Sequence, residues 1–442
     1  MNKITATVGL VALGAASIQA QNLAPAAGSQ EAAKPWSVSA TLRGFYDDNY
    51  STSPSQDERD SFGFEVSPSA SLNLIRDQTA LGLNYVYSGR WYEDRDSLDE
   101  DAWDHSHQIN GKLSHAFTPR FKLDVSDSFV IAQEPELIAG TGLTATPLRA
   151  DGDVLRNHAQ ASFSAGITEN LTAVLGYANE WYDYDNEGFV NSRSAFLDRM
   201  EHLGSLNLRA AVLPKTIVVG SYQYEVVDYN SDDAIGNPFL PVFQYDPEER
   251  NSTAHYLAVG VDQTISPTLN ASVRVGAQYT EYDDLNRVLA LNPNIEEDRW
   301  SPYVDANATW LYQPGSYAQL GFRHQRAQTD VGFVPTGVGI APVLDAESSA
   351  VYGSVSHRIF GAFIASAIAS YQHSEYDMEG MDSFADDYFM AGINLIYELN
   401  RFLALEAGYN FDWLDSELDD DANDDSRSFK RNRVYVGVRG TY

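Results

Sequence analysis

From Trp36 to Tyr442, apolar and polar residues alternate over runs of roughly ten residues, the period of a strand with one apolar and one polar face. In residues 81–91 the apolar set is Leu81, Leu83, Tyr85, Tyr87 and Trp91, opposed by Gly82, Asn84, Ser88 and Arg90. Residues 269–279 set Leu269, Val273, Val275 and Tyr279 against Asn270, Ser272, Arg274, Gly276 and Gln278. Residues 403–411 repeat the pattern, with Leu403, Leu405, Ala407, Tyr409 and Phe411 opposed by Glu406, Gly408 and Asn410. Residues 363–371 follow it except at Ile364 and Ile368, which put apolar groups on the polar side. The chain ends on such a run: Val434, Val436, Val438, Gly440 and Tyr442 share one face, and Arg433, Tyr435, Gly437, Arg439 and Thr441 the other.

Short turns punctuate these runs at 75–77, 118–120, 168–170, 213–215, 266–268, 313–315, 359–361 and 399–401. The Pro, Gly and Asn in most of them set chain reversals through backbone geometry. Longer acid-rich segments alternate with the turns. Eight short turns join sixteen strands, and one strand at each end makes eighteen, with sixteen as the alternative count. No stretch is long and apolar enough for a membrane helix, so a spanning reading requires an all-β, transmembrane antiparallel β-barrel, with long acidic loops at one end and short turns at the other. The apolar face then meets lipid and the Gly-, Ser-, Asn- and Gln-rich face lines the interior; a soluble barrel would reverse this. Aromatic residues where strands meet loops predict two girdles. The upper holds Tyr46, Trp91 with Tyr92, Trp181 with Tyr182, Tyr222 with Tyr224, Tyr279 with Tyr282, and Trp413; the lower holds Trp310, Tyr312, Tyr317, Phe360, Phe363 and Phe402.

The N-terminus adds export. Lys3, the apolar small-residue stretch 4–18 and Gln19-Ala20-Gln21 read as a signal peptide over residues 1–20. An Ala/Pro/Gly/Ser-rich linker covers 21–35, too short for a plug domain, and the barrel takes 36–442. The chain has no cysteine, which excludes a disulfide framework and a lipidated N-terminal cysteine.

A formal charge of −33 disfavours nucleic acid as a partner. Most acidic residues fall in the long segments, most densely at 93–104, 375–387 and 415–425. Asp419, Asp420, Asp421, Asp424 and Asp425 offer oxygen ligands to Ca2+ or Mg2+, without the spacing, Gly and final Glu of an EF-hand. The alternative is a solvated, self-repelling surface. Strand parity points Arg43, Arg90, Lys112, Lys122, Arg156, Arg209, Arg274, Arg323, Arg433 and Arg439 inward. Glu65, Asp124, Glu180, Asp262, Asp305 and Glu406 join them, giving a mildly positive lining. Such charges either select solutes or pair across the wall to hold its shape. Segment 133–154 is long, Gly- and Thr-rich and modestly charged; it is expected to fold into the lumen, with Glu134, Glu136, Arg149, Asp151 and Asp153 at a constriction, rather than pack on the rim. Segment 332–343 has the same character. No Gly-x-Ser-x-Gly, phosphate loop or His-Glu-x-x-His is present, and no enzyme is expected. His105 and His107 are either zinc ligands lacking a Cys partner or plain rim histidines.

The last strand, with its alternating apolar face and terminal aromatic, resembles the C-terminal assembly signal of bacterial outer-membrane barrels, carried here by Val434, Val436, Val438 and Tyr442. Phe is the commoner last residue, so Tyr442 departs from the pattern. The mature chain as a whole resembles β-barrel porins of Gram-negative bacteria, and in length and acidic loops is similar to the exopolysaccharide-associated outer-membrane barrels. That resemblance implies the outer membrane, a periplasmic linker, and lipid, lipopolysaccharide and the barrel-assembly machinery as partners. Three functions follow: a passive channel for small hydrophilic solutes, an exopolysaccharide-export barrel, or a structural or adhesive barrel with cation-binding loops. No cofactor beyond loop Ca2+ or Mg2+ is expected, and the oligomeric state stays open.

Overall fold

A computed structural model describes residues 35–54, 57–97, 101–132, 154–336, 339–378, 383–418 and 427–442. Alternation has the expected consequence. Eighteen strands form one closed antiparallel sheet. They are β1 Trp36–Asp47, β2 Ser61–Ile75, β3 Thr79–Tyr92, β4 Trp103–Thr118, β5 Phe121–Ala132, β6 Val154–Gly166, β7 Leu171–Tyr184, β8 Arg199–Leu213 and β9 Thr216–Tyr229. The second half comprises β10 Ser252–Ser266, β11 Leu269–Tyr282, β12 Asp298–Gln313, β13 Ser316–Ala327, β14 Ala346–Phe360, β15 Phe363–Tyr376, β16 Phe384–Asn400, β17 Leu403–Ser416 and β18 Phe429–Thr441. Each strand pairs with its neighbours in sequence, and β18 returns to β1 with Leu42 opposite Val438 and Tyr46 opposite Val434. Closure removes the free edge that lipid would not tolerate.

All eight short turns fall where the sequence puts them. At Pro314-Gly315 the glycine takes φ +75°, the left-handed position that a type II turn demands after proline. The wall strands run from 12 to 17 residues, more than the ~9–11 needed to cross a bilayer, so their long-loop ends project beyond the lipid.

The two faces divide as expected. Leu42, Leu83, Val275, Leu405, Val434 and Val436 lie open on the outside. Tyr442 stacks on Phe402 and meets Trp36 at a tilt at the short-turn rim. The girdles need correction, because adjacent strand residues cannot both face lipid. Trp91, Trp181 and Tyr279 sit outside, whereas Tyr92, Tyr182 and Tyr282 are buried inside. Tyr317 also leaves the lower girdle, since it lines an internal cavity.

Candidate functional site

Inner-wall charge is organised by shared carboxylates. Glu65 on β2 is buried between Arg43 (3.1 Å), Arg90 (3.5 Å) and Arg433 (3.8 Å). Glu406 on β17 bonds Arg43 and, at 2.8 Å, Arg439. Because Arg43 and Glu406 lie on strands separated by β18, only side chains on the same face of the wall can meet in this way. Asp262 takes Arg209 and Arg274, each at 2.6 Å, and Asp305 takes Arg323 at 3.0 Å. Lys122 meets Asp124 at 2.7 Å, and His158 approaches Glu180 at 3.7 Å. Lys112 is exposed on the inner side of β4, and Arg156 faces Tyr182 across the β6–β7 register.

More charges of both signs line the wall than parity assigned. Glu201, Glu225, Asp104 and Asp412 point inward, as do the buried Arg199, Arg299 and Arg431. These groups stand on the long-loop ends of the strands. The wall is polarised around its circumference. Four arginines crowd Glu65 and Glu406 on β17, β18 and β1–β3, whereas Glu180, Glu201 and Glu225 gather on β7–β9 with Arg199 bonded to Glu201 at 2.7 Å.

Over part of the mouth the long loops build a lid. Ala195, Ile235, Tyr245, Val288, Ile295, Ile340 and Leu344 form a hydrophobic core with the inward-facing Tyr282. Part of segment 332–343 joins this core: Phe333–Pro335 pairs with Ile340–Pro342, and Ala341 and Val343 are buried. Arg250 ties the lid together. It is 1% exposed, lies over the Tyr229 ring, and donates to the carbonyls of Phe196 (3.0 Å) and Thr329 (2.6 Å). Glu249 accepts from the backbone N–H of Arg287 and Val288, holding the start of the short helix Asn286–Leu291. Arg427 bridges Asp330 and Asp386, tying another loop to the barrel end.

Asp198 follows the short helix Arg193–Leu197 in this lid and accepts from Ser194 Oγ at 2.6 Å and from the Tyr184 N–H at 2.8 Å. Burial, the largest influence, pushes its carboxyl up to about 6 despite those bonds, aided by the charges of Asp183 and Glu187. No sequence signal marked Arg250 or Asp198, because their roles depend on loops distant along the chain.

His105 and His107 lie on the outer face, with Nδ1 2.7 Å from Tyr87 Oη and 2.9 Å from Tyr85 Oη. Tyr177–His202, Tyr222–His255 and Tyr312–His357 repeat that stacked arrangement. Such pairing gives the interfacial histidines a partner without a metal. Among the described residues no group of three or more His, Asp or Glu is placed to hold one. Asp419, Asp420, Asp421, Asp424 and Asp425 lie outside the described residues, as do Glu134, Glu136, Arg149, Asp151 and Asp153. The proposed signal and linker, apart from Pro35, do too.

A closed strand wall, apolar without and polar within, defines a membrane-spanning barrel of the porin type. The chain belongs to the family described as putative beta-barrel porin 2, which matches residues 37–442. It is a porin-like barrel of the Gram-negative outer membrane, and its family and fold are those of channels. OccAB3 of Acinetobacter baumannii is similar in fold, at 12% identity over 92% of this chain and 99% of that one, with a TM-score of 0.44. OpdK of Pseudomonas aeruginosa gives 11%, 92%, 99% and 0.43. OccK2 (OpdF) of the same organism, solved with glucuronate, gives 12%, 92%, 98% and 0.44. No curated protein matches the chain.

Proposed function

We propose that this barrel is a passive channel for small hydrophilic solutes whose entry is narrowed by the loop lid, and that it carries no catalytic machinery. The observation supporting it most directly is the inner wall. Its guanidiniums and carboxylates are spread around the circumference beside Ser, Asn and Gln, rather than replaced by an interlocking apolar core. Charged rings of this kind bias which ions and polar solutes pass. Val434, Val436, Val438 and Tyr442 form the outer face of the closing strand, which supports the assembly machinery as the reader of that segment. The outer acidic loops favour cation-bridged lipopolysaccharide as a neighbour.

Single-channel recording in planar bilayers tests the reading. Discrete conductance steps are expected, together with swelling of liposomes in small sugars. Silent bilayers and sugar-tight liposomes, from protein with an intact β-sheet spectrum, would overturn it in favour of a structural barrel.

A further inference from the structure

On four adjacent strands of the outer face, β9 to β12, Tyr224, His255, Tyr279 and Trp300 stand directly opposite one another in register. Their ring centroids are spaced at 5.0, 6.5 and 4.9 Å along the row, and Trp300 is 72% exposed. Towards the short turns the next rows are Leu257, Ala277 and Pro302, then Val259, Val275 and Val304, so the rings top the apolar band. Towards the long loops the next row is Thr253, Glu281 and Asp298. Both acids are exposed, and Tyr279 Oη donates to Asp298 at 2.8 Å. Among the described residues no lysine or arginine is in register with either row. A second stretch of the outer face is layered in the same way, with one difference. Tyr371, Phe389 and Trp413 lie below Asp387 and Asp415 on β15–β17, and the ring row ends on the exposed Lys430 of β18. There the chain brings its own ammonium-bearing side chain to rings capped by carboxylates.

We propose that the β9–β12 row docks a lipid headgroup carrying an ammonium group. The proposal rests on the lipid-facing position of these strands and not on whether the barrel conducts. Ring faces attract organic cations, and Glu281 and Asp298 stand where such a cation's charge can be paired. On β18 Lys430 is at hand for that role, whereas the β9–β12 row leaves it to the membrane. A headgroup with phosphate alone is repelled by the two carboxylates. A hard divalent cation is a poor match as well: calcium takes about six to eight oxygens, and ring faces supply none. An ammonium group uses both halves of the surface, the rings through its charge on their faces and the carboxylates through its N–H donors.

The test uses the full-length barrel equilibrated with equimolar phosphatidylethanolamine and phosphatidylglycerol of matched acyl chains. Both lipids carry a phosphate, and only the first carries an ammonium group. Native mass spectrometry reads which lipid stays bound. Phosphatidylethanolamine should be retained about fivefold over phosphatidylglycerol. Glu281→Gln with Asp298→Asn keeps the shape of the surface and should bring the ratio near one. Tyr279→Leu with Trp300→Leu keeps the acids and should lower the ratio about twofold. Folding of each variant is checked by its thermal transition, and the isosteric acid pair decides the matter if the ring pair does not fold. Equal retention of the two lipids by the parent, or a ratio unchanged in the folded variants, overturns the proposal. A preference for phosphatidylglycerol that appears with Ca2+ and vanishes with a chelator also overturns it, and assigns the two carboxylates to a metal bridge instead.

Discussion

Glu65 and Asp127 show how one chemical group takes opposite roles on the two faces of one wall. Glu65, buried inside, is shared by three arginines, and its charge is what allows them to lie close together. Replacing it with Gln leaves those guanidiniums facing one another, and removing one partner of a buried charge set costs about 3 kcal/mol. Urea unfolding of Glu65→Gln in vesicles, followed by tryptophan fluorescence, should show a loss of that order. Asp127 instead points outward from β5, exposed between Phe129 and Val125, with Asn157 Nδ2 donating to it at 2.9 Å. It stands near the middle of the apolar band, where an acidic group costs less than the ~2–4 kcal/mol of a lysine or arginine but still costs. Asp127→Val should therefore stabilise the folded barrel in vesicles by about 1 kcal/mol. Unchanged or lower stability would mean that this carboxylate is shielded from lipid.

Among the elements, the lid and the wall answer to different forces. Strands close the wall through alternation and short turns, both readable along the chain, and all eight turns fall at the expected places. The lid depends on Arg250 finding carbonyls at Phe196 and Thr329, and on Ile235 meeting Ile340, contacts no local pattern encodes. The paired girdle residues were misread for a related reason: Trp91-Tyr92 looks like one aromatic site until period two sends Tyr92 inside. The inner charges were legible by parity, but which carboxylate serves which arginine required the register. Arg250→Met should remove donors from buried carbonyls and loosen the lid while leaving the sheet intact. Faster proteolysis within 230–251 and larger conductance, at an unchanged β-sheet spectrum, would show this. The lid should also respond to pH. Asp198 is held at about 6 in the fold against an ordinary 3.8, so the folded state binds its proton more tightly. Its contribution is fully present below about 3.8 and is lost as pH rises through about 6. Protection factors in 185–198, with the intrinsic pH dependence of amide exchange divided out, should be higher at pH 4 than at pH 7, and Asp198→Asn should reduce that difference.

At the scale of the whole barrel, charge is arranged around a circumference, and this makes its selectivity a property of balance rather than of any single ring. Arg90 shares Glu65 on β2–β3, whereas Arg274 and Arg323 flank Asp305 in register on β11–β13, Arg274 also bonding Asp262. Changing all three to Ser removes positive charge and uncovers negative charge together. Reversal potentials in a salt gradient should move towards cation selectivity. Changing the three acids to Gln, Asn and Asn should move them towards anions. The combined sixfold variant, with both signs removed, should return near the parent. Since screening shortens these fields to about 8 Å at physiological ionic strength, all shifts should shrink as salt is raised. The acid-rich segments of the sequence are the same in every variant, so the difference between variant and parent is the quantity to read. Two opposite shifts that fade with salt would place the conducting path along this wall. Equal reversal potentials in all three variants would mean that ions cross elsewhere, and that these pairs serve only to hold the barrel's shape.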